Sequence, residues 1–133
     1  MSIQPLFDHE KLRVYQSAIG FVAWCEPVLN KVPKSVAAHE QLDRAATSIP
    51  LNIAEGNGRF TALDRCRFFD IARGSAQECA ACLDVLVAKK RVLSSEVTDG
   101  KQILADVVSM LVGLIKSNSD TRIFEDAPED AAE

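Results

Sequence analysis

Along this chain the apolar residues recur at spacings of three and four rather than two, which predicts helices and no strands. The first helix runs from about Asp8 to Lys31, with Leu12, Tyr15, Ile19, Val22 and Leu29 in one apolar row and Val14, Ala18, Phe21, Cys25 and Val28 in the next. Pro27 falls inside it and cannot donate to the helical ladder, so its end is expected as early as Glu26. The second helix spans about Val36 to Glu55 on the core row Leu42, Ala46, Ile49 and Ile53. Pro50 predicts a kink there, and Gly56-Asn57-Gly58 predicts a stop in left-handed conformation. The third begins after a capping Thr61 and reaches about Lys90, with Phe69, Ala72, Ala76, Cys79, Leu83 and Leu86 facing the core. The fourth, capped by Ser94 or Ser95, ends near Ser117. It carries two adjacent rows, Ile103, Val107, Met110, Leu114 and Leu104, Val108, Leu111, Ile115.

Short links between long helices make sequential neighbours antiparallel, so the expected fold is an all-α, up-down-up-down four-helix bundle. One such bundle needs one apolar seam per helix, and the first and fourth helices each carry a second row. Burying a Leu, Ile or Val is worth ~1.5–3 kcal/mol, which favours covering the surplus with further copies of the chain. The rows assigned to that interface are Val14, Phe21 and Val28 on the first helix and Leu104, Val108 and Leu111 on the fourth.

Composition bounds the rest of the molecule. A chain of 133 residues with 47% hydrophobic content fits one domain, expected over 1–118. Residues 119–133 hold six acids against Arg122 alone, a local net of −5 within a total of −4, and are read as a solvated, disordered acidic tail. Neither a secretory signal nor an apolar run of about 20 residues is present, so a cytoplasmic chain without membrane attachment is expected. The four cysteines, Cys25, Cys66, Cys79 and Cys82, stand at apolar helical positions and are read as reduced core thiols.

Polar side chains interrupt the apolar pattern in one place. Gln41, Arg44, Ser48, Asn52 and Glu55 lie beside the core row of the second helix, while Arg73, Ser75 and Glu78 break into the third. Folding the two helices antiparallel about Asn57–Thr61 brings Ala45 opposite Gly74 for close approach, and Arg44 and Gln41 near Ser75 and Glu78. The eight residues form a structural polar seam in this reading, because a carboxylate among apolar neighbours requires a charged or hydrogen-bonding partner.

No constellation suited to catalysis stands out. Di-metal sites in helical bundles use Glu-x-x-His pairs, and Glu10, Glu55 and Glu78 are followed at that spacing by Arg13, Gly58 and Ala81. His9 and His39 pair with no cysteine at a motif spacing, and Cys79-x-x-Cys82 lacks the second ligand pair zinc requires. No catalytic residue, metal or cofactor is therefore assigned. The cluster Lys89, Lys90 and Arg91 would form a basic rim in an oligomer. Nucleic acid is the alternative partner on that basis, with weak, salt-sensitive binding expected because the part before the acidic tail is nearly neutral and only the rim cluster contributes.

Three stretches carry a family resemblance: Phe7-Asp8-His9-Glu10-Lys11-Leu12-Arg13-Val14-Tyr15-Gln16, the run from Gln41 through Ile49-Pro50-Leu51-Asn52-Ile53-Ala54-Glu55 to Gly56, and Ile71-Ala72-Arg73-Gly74-Ser75-Ala76-Gln77-Glu78. Together they resemble the 23S rRNA-intervening-sequence proteins, from about Phe7 to Ser117. The resemblance implies a four-helix bundle assembling as a homopentamer, and it implies no established activity. A related group of retroelement accessory proteins uses a similar but strongly basic pentamer to engage nucleic acid and a reverse transcriptase, and this chain lacks that charge. The expected role is thus a non-enzymatic oligomeric scaffold or protein-binding module whose partners are its own copies and an unidentified protein.

Overall fold

The computed structural model describes residues 4–118, so the expected acidic tail lies outside the described residues. Within them the chain is all helical, with no strand: a short 3-10 turn at Asp8–Lys11, then α1 Arg13–Lys31, α2 Ala37–Asn57, α3 Ala62–Ala88 and α4 Ser94–Ser117. Each helix packs on two others, α1 and α3 both touching α2 and α4. The start of α3 meets the end of α4, where Cys66 Sγ donates to the Ile115 carbonyl at 3.6 Å. The end of α1 meets the start of α4 through the Lys31–Glu96 ion pair.

Helix boundaries follow backbone hydrogen-bond chemistry more closely than apolar spacing. The first helix does not start at Asp8, because Leu12 is extended at φ −76°, ψ 129° and separates the 3-10 turn from α1. Glu10 ties that turn down: its carboxylate accepts from the Leu6 N–H at 2.7 Å, and its carbonyl accepts from Gln16 Nε2 at 3.0 Å. α1 runs through Pro27 to Lys31; the ring sits on the exposed side, so the break expected at Glu26 does not occur.

The left-handed stop expected at Gly56-Asn57-Gly58 is absent as well, since no described glycine has positive φ and Gly58 is right-handed at φ −86°, ψ −4°. Gly56 has a packing role instead. A Cβ there would lie 2.8 Å from Phe69 Cε1 and 3.0 Å from Phe68 Cβ, closer than carbon atoms approach.

Thr61 caps α3 as expected, its hydroxyl accepting from the Asp64 N–H at 3.1 Å. α4 is not capped by a serine. The Glu96 carboxylate reaches back to the Leu93 N–H at 2.7 Å, leaving Ser94 and Ser95 inside the first turn. That bond and Lys31 hold the Glu96 carboxyl below its usual titration range.

The core corrects the expected interface. Val14, Phe21 and Val28 are 3%, 0% and 6% exposed within the single chain, as are Leu104 and Leu111 at 2% and 0%, while Val108 is half-buried against the same core. The five buried side chains face inward and offer no surface to a second copy. Of the two rows on α1, the one with Ala18 and Cys25 turns inward, while Ile19 of the other is 44% exposed. A close α1–α4 contact accompanies this choice: the Trp24 ring occupies the place of a side chain on Gly100, 2.3 Å from where a Cβ would stand. Small residues, Ala45 and Ala46 on α2 and Ala72 and Ala76 on α3, line the buried faces of the other pair.

Candidate functional site: the outer face of α2 and α3

Where α2 and α3 meet, half-buried polar groups join across the helices. Ser75 Oγ donates to Ser48 Oγ at 2.9 Å, and Asn52 Nδ2 donates to both Ser48 Oγ and the Ser48 carbonyl at 2.9 Å each. These three residues share hydrogen bonds across the proposed seam; its charged members are placed differently. Arg44 reaches Glu40 on its own helix at 4.0 Å, Arg73 reaches Asp70 at 3.6 Å, and Glu55 pairs with Arg59 one turn on. Glu78 and Gln41 are exposed. The expected Arg44–Glu78 pair is therefore corrected: a long, exposed side chain gains more from water and an (i, i+4) neighbour than from ordering across a gap. Gly74 is also exposed, and a Cβ there would meet nothing within 4 Å, so close approach does not depend on it.

The same face carries apolar side chains that the periodicity did not single out as a surface. Leu51 is 62% exposed, three residues from Ser48, and Ile71 is 46% exposed, four residues from Ser75. The Ser48–Ser75 bond thus sets Leu51 and Ile71 about one turn away on the two adjacent helices. Toward the α2–α3 turn follow Phe60, wholly exposed, and Leu63 at 83%. Leu6 and Phe7, 85% and 63% exposed, lie at this end too, because Asn57 Nδ2 donates to Asp8 Oδ2 at 2.9 Å. A signal for them existed: Leu51 interrupts a polar row, and Phe60 and Leu63 flank a cap residue where turns are ordinarily polar. Phe68 lies beneath two cations, with Arg59 and Arg67 at 4.7 and 5.4 Å from the ring centroid. A shallow depression of about 510 Å³ bounded by Arg44, Ser48, Leu51 and Asn52 runs alongside.

The remaining chemistry-bearing residues have packing roles. His39 Nδ1 bonds the Val32 carbonyl at 2.9 Å and ties the α1–α2 loop to α2, while His9 packs edge-on to Tyr15 at 4.7 Å. All four thiols are buried and free, and burial raises the pKa of Cys25 to about 12 and that of Cys79 further still. Among the described residues no group of three or more His, Cys, Asp or Glu could hold a metal ion, and no helix is long and apolar enough to cross a membrane. Lys89, Lys90 and Arg91 sit exposed in the α3–α4 loop, remote from the α2–α3 turn.

Comparison with known proteins agrees with this helical arrangement. A crystal structure of a protein of unknown function from the S23 ribosomal protein family of Bacteroides thetaiotaomicron superposes with a TM-score of 0.72. It is 20% identical, with 77% of this chain and 98% of that one covered. No curated protein matches the chain. The family model for the 23S rRNA-intervening sequence protein matches residues 10–113, which contain all four helices apart from the last turn of α4. The chain belongs to the 23S rRNA-intervening sequence protein family.

Proposed function

We propose that the chain is a non-enzymatic, cytoplasmic scaffold: an antiparallel up-down-up-down bundle that associates with its own copies through the outer face of α2 and α3 and presents the assembly to a protein partner. The observation that carries this reading is the run of exposed apolar side chains, Leu51, Ile71, Phe60 and Leu63, on one face and its adjoining end. Side chains of that size left in water together mark a contact surface. The alternation of helix direction is supported by the paired ends, Cys66 with Ile115 and Lys31 with Glu96. Buried, protonated thiols suit a reducing compartment. Five copies is the number that the family resemblance suggests.

Light scattering during size exclusion tests the reading at micromolar concentration. The parent protein is expected as an oligomer, and Leu51→Glu with Ile71→Glu as a helical monomer of 14.5 kDa. A parent protein that elutes as a stable monomer overturns the proposal.

A further inference from the structure

The opposite end of the molecule is built differently. There the α1–α2 loop and the α3–α4 loop come together around a depression of about 400 Å³ lined by Ser35, Lys89 and Arg91. The first loop contributes Lys34 and the second Lys89, Lys90 and Arg91, and neither loop contains an acid. All four cations are exposed, and among the described residues none of them forms an ion pair, although six such pairs form elsewhere on the chain. Glu96 nearby is already engaged by Lys31 and by the Leu93 N–H.

The backbone adds a second observation. α3 ends in a Schellman motif, with the Arg91 N–H on the Leu86 carbonyl and the Lys90 N–H on the Val87 carbonyl, both at 2.9 Å. The residue that turns the chain is Lys90 at φ 60°, the one described non-glycine residue with positive φ. Glycine occupies such a position without strain, so this turn carries a lysine where glycine would fold better.

We infer that this end of the molecule is a docking surface for the phosphodiester backbone of a nucleic acid, contacted by Lys34, Lys89, Lys90 and Arg91. Charge complementarity is the argument for that occupant: four exposed cations on two adjoining loops, two of them lining the hollow and none in an ion pair among the described residues, complement the charge of a phosphodiester backbone. An anionic membrane would demand apolar side chains among the cations. Leu93, 67% exposed, is the single large apolar side chain that the two loops leave in water. The surface is independent of self-association, since each copy carries it whole.

Fluorescence anisotropy of a short labelled single-stranded RNA, titrated between ~50 and ~200 mM salt, tests the inference. Binding is expected to weaken with a log–log salt slope of up to about −3, the value for four phosphate contacts on a single strand. Replacing Lys34, Lys89 and Arg91 by Ala together with Lys90→Gly removes the binding and the slope. Lys90→Gly alone weakens binding while raising the melting temperature, which separates lost contact from lost fold. Lys11→Ala with Arg13→Ala, two exposed cations at the other end of α1, is the matched control and leaves affinity within twofold. No binding at ~50 mM salt overturns the inference, as does an equal loss in the control. Attachment to phosphatidylserine vesicles without binding of RNA or duplex DNA also overturns it.

Discussion

Single atoms decide several features of this molecule. Gly100 is required because the Trp24 ring fills its side-chain space; Gly100→Ala places a methyl 2.3 Å from two ring carbons and is expected to cost about 1–3 kcal/mol in urea unfolding. Glu78→Ala should by contrast change stability by less than about 0.5 kcal/mol, because the carboxylate is exposed and Arg44 has Glu40 as its partner. A loss of several kcal/mol on the Glu78 change would restore the buried pair that the sequence suggested. The thiols give a pH dependence whose sign follows from burial. In the unfolded chain a cysteine ionises near 9.0, whereas in the folded protein Cys25 holds its proton to about 12 and Cys79 beyond that. Their stabilising contribution is complete below pH 9.0 and is lost as pH rises toward the folded value, at up to about 1.4 kcal/mol per pH unit for each thiol. Melting temperature should fall between pH 9 and 11, and Cys25→Ala should flatten that fall, because the two proteins differ in that thiol alone. An unchanged slope would show that the thiol is not a determinant.

At the scale of elements, Pro27 makes the clearest test of what holds a helix. α1 passes through it with one ladder bond missing and the ring exposed, so tertiary packing of Val14, Phe21 and Val28 outweighs a propensity penalty of about 3 kcal/mol. Pro27→Ala is expected to stabilise the protein by about 1–3 kcal/mol, read as a higher urea midpoint with unchanged slope. A destabilised variant would mean that the packing of α1 depends on the Pro27 ring itself. The same competition explains what was legible beforehand. The existence and order of four helices followed from apolar spacing and the Thr61 cap from residue type, whereas the register of α2 on α3 did not: Ser75 meets Ser48, about one turn from Arg44, its expected neighbour. Which apolar row of α1 faces inward did not, because both rows are equally hydrophobic. The structure turns Val14 and Phe21 inward, in a geometry that also seats Trp24 on Gly100 across two helices. Caps at Leu12 and Leu93 escaped notice for a related reason. For Leu93 a glutamate three residues on accepts from the cap's own N–H, as Glu10 does for Phe7 at the 3-10 turn, while Leu12 has no side-chain cap, so none of these positions holds a polar signal. Exposed Leu51 and Phe60 were visible in the sequence but resemble core residues to any rule that counts hydrophobicity alone.

For the whole molecule, charge is divided along the chain. Residues 119–133 carry a net −5 of the total −4, so a chain ending at Asn118 carries +1. Asn118 is worth keeping in such a truncation, since its side chain accepts from Arg65 Nε at 3.1 Å and donates to the Leu114 carbonyl at 2.9 Å, joining the end of α4 to the start of α3. With those bonds intact, removal of residues 119–133 should leave helicity unchanged and shift the melting temperature by no more than about 4 °C, the equivalent of roughly half a kcal/mol to one. RNA affinity at low salt should rise severalfold at the same time, because six acids no longer repel the phosphates or compete for Lys34, Lys89, Lys90 and Arg91. The two readouts separate two kinds of interaction. A melting temperature lowered by ~8 °C or more would show that Ile123 and Phe124 bury apolar area against the helices. An RNA affinity unchanged by the loss of five net negative charges would show that the cationic end does not govern binding.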